Sequence, residues 1–163
     1  MMGHMEKAGC PVDPKEFFVV RHCAENVGGG FDAEASKQGG IVLCQNHIRD
    51  YEHAELTLTH ELIHSFDHCR AYVDWSNCVH HACSEVRAAN LSGDCSMFQE
   101  FNRGHMNFKG QGQECVRRRA TLSVSMNPSC SAPGRHHARF LEEIAISQFP
   151  LKAVGFKSQS HIL

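Results

Sequence analysis

The sequence predicts an α+β fold, mainly helical, with a small sheet next to one long helix. Three observations carry this expectation. Residues 50–74 contain no Gly or Pro, and at about 100° per residue Leu58, Leu62, Phe66, Cys69 and Val73 fall into one apolar stripe. Val79 to Asn90 places Val79, Ala82, Cys83, Val86 and Ala89 on one helix face, and Glu114 to Met126 reads as a further helix closed by Asn127-Pro128. Gly39-Gly40 leads into Ile41-Val42-Leu43-Cys44, a short β-branched run that reads as a strand just upstream of the long helix.

The remaining elements follow from breakers and caps. Residues 1–30 read as irregular, interrupted by Pro11 and Pro14 and turned at Gly28-Gly29-Gly30. Asp74 to Asn77 ends the long helix and caps the next, and Gly93 supplies that helix's stop. Cys95 to Phe108 is a mixed amphipathic segment, ended by Gly110 and Gly112. After Pro133-Gly134, His136 to Phe149 reads as one short helix and Pro150 to Leu163 as a tail. The 163 residues thus predict one domain over 1–130, long enough to bury a core, followed by a C-terminal helix and tail over 131–163.

Composition narrows the function classes. A net charge of −2 provides no global field for nucleic acid or anionic lipid, so no direct nucleic-acid partner is expected. Arg117-Arg118-Arg119 is the one basic cluster and reads as a solvated helix face. Nothing approaches 18 consecutive apolar residues, and the N-terminus shows neither a secretory apolar region nor an Arg-rich, acid-poor transit pattern. Nine cysteines at wide spacing, with no C-x-x-C pair, suit a disulfide framework in an oxidising compartment rather than a zinc ribbon. Nine is odd, so at least one thiol lacks an internal partner.

Within the long helix, His60-Glu61-Leu62-Ile63-His64 reads H-E-x-x-H. Histidines four apart project from one helix face, nearly opposite the apolar stripe, where both imidazoles can hold a single Zn²⁺. Glu61 sits where it can take a proton from water on that ion, and this set of parts hydrolyses peptide bonds. The strand at 41–44 has a use beside such a site, because a free edge there can pair with an extended substrate backbone; an ordinary core strand is equally consistent.

A catalytic site of this kind needs a third protein ligand and one open position. His68 follows at the next i+4 step, but it lies about 12 Å from His60 along a straight helix, too far for bonds of about 2 Å to one ion. It reads as a helix-face histidine. Glu85 and His81 both border the apolar face of the next helix, and periodicity does not separate them. The His, His, Glu template, with the glutamate about twenty residues on, favours Glu85. Asp67, Asp74 and Asp94 are candidates to orient the histidines through their second ring N–H. A structural zinc closed by four ligands would instead draw on Cys69, Cys78, His80, His81 and Cys83. Glu61 argues against it, since a structural ion has no use for a base.

Thr59-His60-Glu61-Leu62-Ile63-His64, Phe66-Asp67-His68-Cys69-Arg70-Ala71 and Val73-Asp74-Trp75 together resemble the mitochondrial inner-membrane metalloproteases that assist ATP synthase assembly, whose vertebrate members are also called Ku-binding protein. The resemblance continues through Ala82 to Cys95, includes Gly29 to Asp32 and Ile41 to Asn46, and returns at Cys115-Val116-Arg117 and Arg119 to Ser123. It implies a zincin-like fold, Zn²⁺ held by His60 and His64, and Glu61 as acid/base. It also implies peripheral attachment to the inner membrane on the intermembrane-space side, a compartment that reconciles many cysteines with no secretory signal. The implied protein substrate is the precursor of an ATP synthase membrane subunit, which loses an N-terminal extension. A chaperone-like assembly role independent of the protease site is implied as well. The Ku name implies a link to double-strand break repair, for which no residue here offers chemistry. After Cys130 the chain diverges: the family's last helix carries a further cysteine and is followed by an Asn-Asp and Pro-Phe tail. Val20 also stands where a relative has cysteine.

Overall fold

The computed structural model describes residues 2–105 and 110–131; the helix expected over 136–149 and the tail after it lie outside the described residues. The chain divides into two compact units, Met1–Val73 and Asp74–Leu163.

The first unit contains α1 (Met2–Lys7), α2 (Pro14–Phe17), β1 (Phe18–Arg21), β2 (Gly29–Asp32), β3 (Gly40–Cys44) and α3 (Tyr51–Arg70). The expectation of irregular structure over residues 1–30 is therefore corrected. Pro14 starts a helical turn instead of breaking one, because its fixed φ suits the first helical position, and the Asp13 carboxylate caps that turn by accepting from the Lys15 N–H at 2.9 Å. Of the two readings the sequence leaves open for the strand at 41–44, the structure has the core strand. β3 is central, parallel to β1 with Phe18 opposite Ile41 and antiparallel to β2 with Phe31 opposite Ile41. Its lack of any polar residue suits its burial, with Gly40, Ile41 and Cys44 all buried. The edges of the described sheet are β1 and β2.

The α3 stripe packs as the periodicity requires. Leu62 joins Met5, Cys10, Phe17 and Ile41 in one buried cluster, with Leu58, Phe66 and Cys69 against it. Val73 drops out, since α3 ends at Arg70 and Ala71 is extended, its N–H returning to the Asp67 carbonyl. No Gly or Pro marks that end. Disulfides Cys10–Cys69 and Cys23–Cys44 pin the helix end and the sheet. Two glycines have steric reasons. A Cβ on Gly29 would meet the Val42 carbonyl at 2.6 Å and the Thr57 methyl at 3.0 Å, so β2 lies directly against α3. Gly39 adopts φ +75°, and a Cβ there would strike the Phe31 ring.

The second unit contains α4 (Cys78–Leu91), α5 (Met97–Asn102) and α6 (Gln111–Met126). Asn77 caps α4, accepting from Val79 and His80 N–H groups, and Gly93 follows its end at φ +86°. α4 and α6 run antiparallel, as the pairs Cys78–Cys130, His81–Asn127 and Glu85–Ser123 require. Small apolar residues bring them close: Ala82 packs with Val124, and Val86 and Ala89 with Val116 and Ala120. Disulfides Cys78–Cys130 and Cys95–Cys115 close both ends.

The three arginines of α6 are not the solvated face expected. Arg117 pairs with Glu114, but Arg118 reaches Glu100 at 2.8 Å and Arg119 reaches Asp94 at 2.6 Å, where Arg103 also pairs with both acids. Glu100 is 1% exposed and also accepts from Gln111. Burial pushes its pKa up, but hydrogen bonds from Arg118, Arg103 and Gln111 outweigh this and hold the carboxyl below its ordinary value. Because the folded pKa lies below the unfolded value of about 4.3, this stabilisation is whole above that pH and is lost as pH falls through the folded pKa. Glu100→Gln is expected to cost about 1.5–3 kcal/mol at pH 7 and to flatten the acid side of stability against pH. Urea midpoints measured from pH 7 to pH 3 check both; parallel curves for the two proteins would contradict the assignment.

Candidate metal centre

The Asp50 carboxylate starts α3 by accepting from the His53 N–H at 2.8 Å, and the helix then runs 20 residues. It carries His60 and His64 on successive turns, with ring centroids 4.9 Å apart and planes at 76°. His64 is 4% exposed and His60 half-buried, while Glu61 is 8% exposed. The pair is therefore not turned to open solvent. His68 packs its ring on Phe31 of β2, centroids 5.5 Å apart, and is the helix-face residue expected.

On α4, Glu85 is 3% exposed. Its Oε1 accepts from Ser123 Oγ at 2.6 Å and lies 3.2 Å from His81 Nε2. His81 Nδ1 in turn lies 2.9 Å from the Asn127 side-chain amide, and its ring stands edge-on to Trp75. His81, the alternative third ligand, thus has both ring nitrogens within hydrogen-bond reach of protein atoms. Sequence reasoning missed Ser123 and Asn127. Their spacing of four, from Ser123 on α6 to its C-cap Asn127, matches that of His81 and Glu85 on α4, a signal that means something only once the helices are known to pair antiparallel.

One ligand atom from each of His60, His64 and Glu85 lies within 4.8 Å of the others, a group able to hold a metal ion. Two imidazoles and one carboxylate are a donor set that Zn²⁺ takes at catalytic sites. The residues present fit that ion.

The cysteine chemistry removes the closed, four-ligand alternative as drawn from the sequence. Cys69 and Cys78 are disulfide-bonded and cannot act as thiolates, and His80 Nδ1 accepts from the Asp74 N–H. Four disulfides use eight cysteines, as an oxidised framework requires, and Cys83 remains outside them. Of the three aspartates considered as histidine partners, Asp94 is engaged by Arg103 and Arg119. Asp74 binds the Ser76 hydroxyl and N–H, which hold its carboxyl below its usual value. Asp67 is buried on α3. Among the described residues no helix is long and apolar enough to cross a membrane.

Comparison with known proteins agrees with this set of parts. The chain is 54% identical over 125 residues to the mitochondrial inner membrane protease ATP23 homolog of Homo sapiens, covering 76% of this chain and 50% of that protein. It is 44% identical over 146 residues to the mitochondrial inner membrane protease ATP23 of Mycosarcoma maydis, covering 87% and 66%. Against the protein of the same name from Saccharomyces cerevisiae S288c it is 47% identical over 136 residues, covering 80% and 57%. The chain thus spans about half to two thirds of the length of these curated relatives. No solved structure matches it. The model of the Peptidase M76 family matches residues 1–144, and the chain belongs to that family.

Proposed function

We propose that this chain is the catalytic part of a zinc-dependent endopeptidase with a zincin-like fold, acting at the mitochondrial inner membrane from the intermembrane-space side. The observation that carries the reading is the His60, His64, Glu85 group, with Glu61 on the same helix as both histidines. His60, His64 and Glu85 are the ligands we assign, and Glu61 is the acid/base. A bound Zn²⁺ supplies a Lewis acid for the scissile carbonyl and brings the pKa of a coordinated water toward neutrality. Glu61 takes the proton of the attacking water on its carboxylate and delivers it to the leaving amine. β2, at the sheet edge and packed on Thr57 of α3, is the strand we assign to pair with an extended substrate backbone. The four disulfides support the oxidising compartment. The resemblance points to the precursor of an ATP synthase membrane subunit as substrate, and to a role in assembling that enzyme; no observation on the chain adds Ku.

Metal analysis of the intact, folded protein is expected to give about one zinc per chain. His64→Ala and Glu85→Ala are expected to lose it to a chelator that the wild type resists. Folded wild-type protein that contains no metal after dialysis against zinc would overturn the reading. Incubation with the precursor and the mature form of the ATP synthase subunit, with and without chelator, tests the substrate: shortening of the precursor alone, abolished by the chelator, is expected.

A further inference from the structure

We infer that Ser123, His81 and Asn127 are positioning residues that fix the carboxylate of Glu85, a role that rests on the reading of Glu85 as a zinc ligand. The surrounding hydrogen bonds assign the donors and acceptors. The Asn127 Oδ1 accepts from the Ser129 N–H at 2.9 Å, which makes Nδ2 the other branch of the amide. Nδ2 carries two hydrogens, and two acceptors face it: the Trp75 carbonyl at 2.9 Å and His81 Nδ1 at 2.9 Å. His81 Nδ1 must therefore accept, and the ring proton sits on Nε2. That N–H points at Glu85 Oε1, 3.2 Å away. Ser123 Oγ donates to the same oxygen at 2.6 Å.

Glu85 Oε1 thus receives two donors from different helices, one along α4 and one across from α6. Two donors on one oxygen set both the position and the plane of the carboxylate. Outer hydrogen bonds of this kind orient a ligating carboxylate before the ion arrives. They also explain why His81 is not a ligand itself, since its two ring nitrogens are spent on Asn127 and Glu85. The geometry depends on the α4–α6 register, which Cys78–Cys130 holds one turn beyond the His81–Asn127 pair.

The test is zinc affinity by chelator competition on the folded protein, together with the visible absorption of the Co²⁺-substituted form. Ser123→Ala and His81→Leu are each expected to weaken zinc binding about 10- to 100-fold and to shift the Co²⁺ bands. Ser123→Thr and His81→Gln each keep a donor and are expected to restore most of the affinity and the wild-type spectrum. The imidazole ¹⁵N spectrum of the wild type is expected to show His81 protonated on Nε2 alone, and Asn127→Ala to mix the tautomers. Glu85→Ala serves as the reference. If Glu85→Ala binds zinc as tightly as wild type, the ligand assignment falls, and the positioning role with it. If Glu85→Ala loses affinity while Ser123→Ala and His81→Leu keep wild-type affinity and spectrum, the positioning role alone is overturned. Loss in both members of each pair, Ala with Thr and Leu with Gln, would mean packing rather than hydrogen bonding and would also overturn it.

Discussion

Glu61→Gln is expected to lower peptide cleavage by about 10²- to 10⁴-fold while leaving zinc content and fold unchanged. The amide is nearly the size of the carboxylate and suits a helix equally well, so α3 is not disturbed. It still accepts a hydrogen bond, but it cannot take and return a proton. Glu61 is buried on the same helix as the two histidines, and the proposed reaction assigns its carboxylate the proton of the attacking water. The measurement pairs a cleavage assay with zinc stoichiometry and a thermal melt on one preparation. A variant that cleaves at the wild-type rate would remove Glu61 from the mechanism. One that loses zinc as well would make it a structural part of the centre. The contrast with Glu85→Ala matters here, because a ligand and a base both abolish cleavage and only metal content separates them.

The His60, Glu61 and His64 part of the candidate centre could be read from the chain because it is local. An H-E-x-x-H spacing has a geometric meaning on any helix, and the apolar stripe of Leu58, Leu62 and Phe66 says which way that helix faces. Periodicity narrows the third ligand only to Glu85 or His81, since both lie on one flank of α4 and a one-turn difference is invisible to it; the His, His, Glu template is what favours Glu85. The groups that hold His81 and Glu85, Asn127 and Ser123, sit more than forty and thirty residues downstream of their partners. Their roles exist only through pairing of α4 with α6. The same limit explains the sheet. Gly29-Gly30-Phe31-Asp32 is too glycine-rich to announce itself as a strand, and the β-branched Phe18-Val19-Val20-Arg21 is overshadowed by Pro11 and Pro14 just before it; β1 and β2 form because β3 offers them a ladder on either side. Likewise the arginines at 117–119 look solvated from their own neighbourhood. Glu100 and Asp94, which claim two of them, arrive from another part of the chain.

Removing the Cys10–Cys69 disulfide by a double Cys→Ala substitution is expected to cost about 4 kcal/mol, the chain-entropy value for closing a loop of this size, here 59 residues in separation. Against a total stability of about 5–15 kcal/mol, that is a large fraction of the whole. Three facts favour the full effect. Cys10 is completely buried in the core cluster, Cys69 lies on the stripe of α3 that packs there, and the neighbouring Arg70 guanidinium donates to the Ala8 carbonyl at 3.0 Å. The C-terminal turn of α3 is therefore tied to residues 8–10 by one covalent and one polar link, in a helix that has no glycine stop of its own. Cys83→Ala, outside every disulfide, is expected to change stability by less than about 1 kcal/mol. Urea unfolding in oxidised and reduced samples separates the cases: reductant should lower the wild-type midpoint below that of the oxidised double variant, since it opens the other three disulfides too. Because His60 and His64 ride on the same helix, the double variant should also release zinc at a lower urea concentration than wild type. If its urea midpoint equals that of the oxidised wild type, α3 is held by packing alone and the disulfide adds nothing.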